Sequence, residues 1–172
     1  DYDESSITFK MDGELKDIVQ VEVSQEELVL VAAKEYLNES CFLDRGKKII
    51  NWKEAAKLPL ITLKKGHALR SSVDVLYANA EGKPNIFFES HSNMLSYRLA
   101  AQGLGVAIIP EITLELMEGG MEADVYHLSV TPVQWPVMAL YREGCYIGEV
   151  EQALLDIAKE TMQAHKKKLW AS

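Results

Sequence analysis

The segment that decides the fold is residues 88–110, which read FESHSNMLSYRLAAQGLGVAIIP. A polar start, rich in side chains that cap helices, leads into an amphipathic run, a glycine pair and a short apolar run closed by proline. This order predicts a helix, a tight turn and a buried strand. Because the N-terminus of a helix can face a ligand, the segment indicates a binding site more clearly than it indicates catalysis.

The glycine pair, Gly103 and Gly105, does not match a dinucleotide-binding fingerprint. That fingerprint needs a strand before the glycines, a helix after them and a third glycine. Here the helix comes first and position 108 is isoleucine. We therefore expect Gly103 to end the helix in a left-handed conformation and Gly105 to allow close packing where the strand begins.

Length and charge narrow the class of protein. A chain of 172 residues is long enough for one large domain or two small lobes. A net charge of −8 argues against direct binding of nucleic acid, since phosphate contacts need clustered Lys and Arg, and the one basic cluster, 166–168, suits a helix C-terminus.

Cys41 and Cys145 lie far apart, without metal-binding or disulfide spacing, which is typical of a reducing compartment. No apolar run approaches the roughly 20 residues of a membrane helix, and the acidic N-terminus does not resemble a signal peptide.

Strands and helices alternate through residues 60–110, which predicts a parallel α/β sheet. Besides the strand of the opening segment, apolar patterns predict strands at 6–9, 17–23, 27–33, 60–63, 85–88, 125–128 and 137–141. Besides the helix of the opening segment, the sequence predicts helices at 51–58, 69–80, 110–117 and 149–163, and a loop at 38–48. We expect the inner face of the final helix to carry its apolar residues, which are Ala153, Leu154, Ile157, Ala158 and Met162.

Two turns, 64–68 and 89–93, join a predicted strand to a predicted helix. In an open α/β sheet both would lie at the carboxyl edge of the strands, where ligands bind. Free N–H groups at the two helix N-termini would favour a carboxylate or another anion, and Ser90, Ser92 and Asn93 would add polar contacts. The alternative is that Ser90 or Ser92 is only the N-cap of its helix.

The sequence contains no catalytic or metal-binding constellation. The chain has four histidines, which are His67, His91, His127 and His165. None of them shows the paired spacing of a metal site. It lacks a Gly-x-Ser-x-Gly elbow and a P-loop, and the adjacent side chains of Ser90 and His91 diverge too far to form a dyad. We therefore predict no catalytic residue, no metal ion and no cofactor.

The chain resembles the effector-binding domain of LysR-type transcriptional regulators over residues 6–163. The segments that carry the resemblance are, in chain order, 28–32, 52–62, 66–74, 82–84 and 88–90. Its most specific element is 99–110, which resembles the family signature V-x-x-G-x-G-[IV]-x-x-[LI]-P.

This resemblance implies an α/β, two-lobed fold of the periplasmic-binding-protein-like type 2, with two crossing hinge strands and an effector cleft between the lobes. Lobe I is expected at 1–33 and 136–172, and lobe II at 34–135. The sequence begins at what resembles the third strand of lobe I. The resemblance therefore places the helix-turn-helix and the first part of lobe I before residue 1.

The resemblance also implies effector-binding residues. In the first turn they are Lys65, Gly66, His67, Ala68 and Leu69, and the start of the chain adds Thr8 and Phe9. With the second turn, which contributes Ser90, His91 and Ser92, they make up the predicted site. The family often carries a hydroxyl residue in the first turn, where this chain has Ala68 and Leu69, so the identity of the effector does not transfer.

The function implied is that of an effector-sensing domain in a LysR-type DNA-binding regulator, which binds a small anionic metabolite. The protein is then expected to be cytoplasmic, to form a homodimer or tetramer, to contact DNA only through the helix-turn-helix, and not to bind membranes. An extracytoplasmic solute-binding protein of the same fold is the alternative. An enzyme on this fold is a third possibility.

Overall fold

The computed structural model describes residues 17–80, 83–117 and 122–169, and among them it separates two compact units. Unit 1 is Glu27–Val133, and unit 2 contains 17–26 and 134–169. The lobe boundaries implied by the resemblance stay a prediction.

The described residues form eight strands, one short 3-10 turn at Glu39–Cys41, and five α-helices. The strands are β1 (Ile18–Ala32), β2 (Phe42–Asp44), β3 (Ile49–Ile50), β4 (Leu60–Leu63), β5 (Ile86–Ser90), β6 (Val106–Pro110), β7 (Asp124–His127) and β8 (Gln134–Arg142). The helices are α1 (Trp52–Ala55), α2 (Ala68–Asn79), α3 (Asn93–Ala101), α4 (Ile112–Glu115) and α5 (Glu149–Leu169).

The sheet of unit 1 has the strand order β2-β3-β7-β1-β6-β4-β5. Strand β4 pairs in parallel with both β5 and β6, which confirms the parallel sheet predicted for 60–110. Strand β1 runs antiparallel to β6 and β7. Its part in unit 1 is buried on both faces, since Leu28, Val29 and Leu30 have no exposed surface.

Two predicted elements differ from the structure. The strands predicted at 17–23 and 27–33 are one continuous strand, β1, because the backbone stays extended through Ser24–Glu26 and Glu26 is buried within the strand. The loop predicted at 38–48 contains the 3-10 turn and β2, and β2 pairs with β3 directly after the predicted loop, where the side chains of Cys41 and Ile50 are buried. In both places burial overrides the polar composition.

In unit 2, β8 pairs with β1, and the Glu143 N–H donates to the Asp17 carbonyl at 2.8 Å. The inner face predicted for the final helix is wrong at Leu154, which is 67% exposed, and at Ile157, which is 60% exposed, whereas Ala158 and Met162 are half-buried.

The hydroxyl of Tyr77 is buried and has no hydrogen-bond partner. The ring lies edge-on to Trp52, with the centroids 5.0 Å apart, and burial raises the pKa of the phenol. A buried hydroxyl without a partner costs about 1–3 kcal/mol. We therefore expect Tyr77→Phe to raise the free energy of unfolding by about 1 kcal/mol, measured by urea denaturation.

Tyr126→Phe is the matched control for this prediction. The Tyr126 hydroxyl donates to Asp124 Oδ2 at 3.2 Å, so its removal should lower the free energy of unfolding. If both substitutions lower stability equally, the Tyr77 hydroxyl has a partner and the prediction is wrong.

Candidate functional site

The two strand-to-helix turns of the sequence prediction lie next to each other at the carboxyl ends of β4 and β5. Leu63 and Ser90 are opposite each other in the parallel pair, and the Lys64 N–H donates to the Ser90 carbonyl at 2.9 Å. The rings of His67 and His91 have centroids 6.0 Å apart. The structure therefore brings together the residues predicted from both turns.

In the first turn, Gly66 adopts a φ of +95°, a left-handed conformation that favours glycine. His67 follows as the extended N-cap of α2, and its side chain makes no capping hydrogen bond. Lys65 and Ala68 are exposed, whereas Leu69 is only 4% exposed. Because the Leu69 side chain packs inside the unit, only its backbone N–H is oriented to serve a ligand.

In the second turn, both serine hydroxyls bond within the protein. Ser90 is 2% exposed, and its hydroxyl accepts from the Ser92 N–H and donates to the Ser92 carbonyl, each at 2.9 Å. Ser92 is the N-cap of α3 and accepts from the Leu95 N–H at 3.5 Å. The capping alternative therefore applies to Ser92, while Ser90 shapes the turn. His91 is exposed, and Asn93 Oδ1 is buried without a partner.

The electrostatic balance of the turns is positive. The first N–H groups of α2 and α3 have no partner within their helices and carry the positive end of each helix dipole. Lys64 and Lys65 are exposed beside them. The nearby carboxylate of Glu89 is bound by Arg70, which lowers the pKa of Glu89. This arrangement suits a carboxylate or phosphate group.

Arg70 is a residue of this region that the sequence analysis missed. Its side chain is 3% exposed. Burial disfavours its charged form, but hydrogen bonds to Glu89 and Asp74 outweigh that cost and raise the pKa of Arg70. A signal was present in the sequence, since an arginine in the first turn of a predicted helix opposes the helix dipole.

Two predicted site residues, Thr8 and Phe9, lie outside the described residues. Within the part of the chain that the structure describes, no cluster of three or more His, Cys, Asp or Glu side chains is arranged to hold a metal ion. In the same residues, no helix combines the length and apolar character needed to cross a membrane.

Comparison with known proteins gives relatives for this chain. The family model described as the LysR substrate binding domain matches residues 9–163. The uncharacterized HTH-type transcriptional regulator YybE of Bacillus subtilis (strain 168) is 39% identical over 67 residues, which are 39% of this chain. The chain spans only 23% of the length of that relative.

Solved structures share the fold. The effector binding domain of QuiR in complex with shikimate aligns with a TM-score of 0.69 and 18% identity, over 92% of this chain and 70% of that one. The regulatory domain of CcmR from Synechocystis PCC6803 in complex with 2-PG aligns with a TM-score of 0.72 and 18% identity, over 90% and 72% of the two chains. The mixed α/β fold of the present chain is therefore that of LysR effector-binding domains, as the resemblance predicted. The chain belongs to the LysR substrate binding domain family.

Proposed function

We propose that this chain senses a small anionic metabolite on behalf of a LysR-type transcriptional regulator, and that the two adjacent turns bind it. The observation that carries the proposal is the position of both helix N-termini beside Lys64 and Lys65, with the Glu89 carboxylate already bound by Arg70. Such a site offers N–H donors and positive charge to an incoming anion. The proposed contacts are Lys65, Gly66, His67, Ala68, Leu69, Ser90, His91 and Ser92, with Thr8 and Phe9 from the start of the chain.

Binding regulates only if the effector has different affinities for two states of the regulator. In this proposal the effector shifts the equilibrium between an arrangement that favours transcription and one that does not. DNA is contacted by a helix-turn-helix outside these residues, and the chain carries out no catalysis. The curated relative is named as a transcriptional regulator, which does not favour the solute-binding alternative.

The proposal includes a cytoplasmic homodimer or tetramer. Support for assembly comes from β5, which among the described strands has a neighbour on one side only. Its side chains Ile86, Phe87 and Phe88 are 37%, 58% and 42% exposed. Exposed apolar residues on a free strand edge favour association, and light scattering on the full-length protein measures it.

A thermal-shift screen of organic acids, phosphorylated acids and amino acids on the full-length regulator tests the effector proposal. Shikimate and 2-PG, the ligands named for the two structural relatives, are suitable first probes. A ligand present at 100 times its Kd stabilises the folded state by about 2.7 kcal/mol, which the screen detects readily. If no anion stabilises the protein, the sensor proposal is wrong.

His67→Ala tests whether the ligand found by the screen binds at the turns. The His67 side chain makes no capping hydrogen bond, so we expect a free energy of unfolding within about 0.5 kcal/mol of the parent. The affinity for the ligand, measured by calorimetry, should fall about tenfold, which corresponds to about 1.4 kcal/mol of binding free energy. Lys47→Ala, an exposed change in the loop between β2 and β3, is the matched control. Equal affinities for the two variants would place the ligand elsewhere.

A further inference from the structure

Arg70 occupies a position that helix formation does not explain. It is the third residue of α2, where the positive end of the helix dipole disfavours a cation, and the first turn has no acidic residue to offset it. Its side chain is also buried, and a buried charge is costly unless it is well paired. An arginine at this position must therefore be stabilised by the contacts that its side chain makes.

Three hydrogen bonds of Arg70 join the elements that carry the two turns. Nη1 donates to the Leu63 carbonyl at 2.8 Å, at the end of β4 and directly before the first turn. The same Nη1 donates at 2.5 Å to Oε1 of Glu89, which lies in β5 two residues before His91. Nε donates to Asp74 Oδ1 at 2.9 Å, one helical turn further along α2, and this bond orients the guanidinium.

We propose that Arg70 is a positioning residue that sets the spacing between the two turns and thereby the geometry in which the effector is bound. For the effector, this inference rests on the proposed function. Arg70 is not a binding residue itself, because Asp74 and Glu89 balance its charge and its side chain is buried. The planar guanidinium provides donors in fixed directions, which allows one side chain to reach three acceptors.

Amide hydrogen exchange, followed by NMR on the whole 172-residue chain without ligand, tests the positioning role. Arg70→Lys keeps the charge but loses the fork of donors. We expect it to raise the exchange rates of the Lys64 and Ser92 amides, which bond to Ser90, by about tenfold. The amides of Leu30 and Ile108, paired in the centre of the sheet, should keep their rates.

Two further variants keep the test decisive. Glu89→Gln removes one charge from a side chain that is 40% exposed, so it should fold and show the same local pattern more weakly. Lys57→Gln breaks the exposed Lys57–Glu54 pair on the surface and is the matched control, with no change at the turns. If exchange rises equally at Leu30 and Lys64, Arg70 serves only overall stability and the proposal is overturned. Unchanged exchange at every amide overturns it as well.

The affinity for the ligand found by the screen is the second measurement. Arg70→Lys should weaken the binding of that ligand about tenfold, the same factor by which we expect it to raise amide exchange at the turns. Raised exchange at the turns with unchanged affinity would overturn the proposed role in binding. A screen that finds no ligand, together with raised local exchange, would count against the sensor function and still support Arg70 as the residue that spaces the turns.

Discussion

Replacing Gly105 by alanine should lower the free energy of unfolding by about 3 kcal/mol, at the upper end of overpacking substitutions. A Cβ atom at this position would lie 2.4 Å from the Pro59 carbonyl oxygen and 3.2 Å from its carbon. That oxygen cannot move freely, because it accepts the Val106 N–H at 2.8 Å and so ties the start of β6 to the residue before β4. The added methyl therefore forces apart two parallel strands at the centre of unit 1.

Urea denaturation of the Gly105→Ala protein measures this loss, and Gly46→Ala is its matched control. The Cβ of an alanine at position 46 would meet only the flexible Asp44 side chain, at 3.4 Å. We expect the control to change stability by less than about 1 kcal/mol. If Gly105→Ala lowers the free energy of unfolding as little as Gly46→Ala does, the backbone near Pro59 relaxes without cost and the prediction is wrong.

Ile109→Ala should lower the free energy of unfolding by about 3–4 kcal/mol, within the range for large apolar residues cut back in a core. Ile109 has no exposed surface and lies opposite Val29 in the β1–β6 pair. It belongs to the core cluster that also contains Ile61, Tyr97 and Met117. Packed strands on both sides prevent the site from collapsing, so the cavity persists.

The same denaturation experiment on Val130→Ala provides the comparison for Ile109→Ala. Val130 is 68% exposed, so its truncation should cost less than about 0.5 kcal/mol. A loss below about 1 kcal/mol for Ile109→Ala would mean that the core around β6 repacks, and it would contradict the placement of this residue in the centre of the sheet.

The sequence predicted those parts of the fold that depend on local patterns. The helix at 93–101 and the strand at 106–110 follow from a serine cap, periodic apolar residues and a glycine pair. Gly103 has a φ of +79°, as expected for the end of a helix, and Gly105 lies against the backbone of Pro59 as expected for close packing. The cap, the apolar periodicity and the Gly103 turn are each determined by residues that are neighbours in the chain, whereas the close approach of Gly105 to Pro59 joins two separate strands.

The sequence predicted where the backbone of the candidate site lies, but it did not predict the contacts between the side chains of the site. The two turns could be placed at one edge of the sheet because parallel strands end on the same side. The contact of Arg70 with Glu89 could not be predicted, because it depends on how β4 and β5 are aligned. For Thr8 and Phe9, the predicted role in binding stays a prediction.

The sequence by itself determined the order of strands and helices from α1 to β7, the two turns with their N–H donors, and the glycines that allow tight backbone geometry. Only the tertiary structure decided which side chains are paired with each other. Glu27 contacts His127 Nδ1 at 2.7 Å although 100 residues separate them, and Arg70 reaches Glu89 across 19. The physical reason is that capping and periodicity act over one or two turns of chain, whereas the partner of a buried charge is set by the order and register of strands.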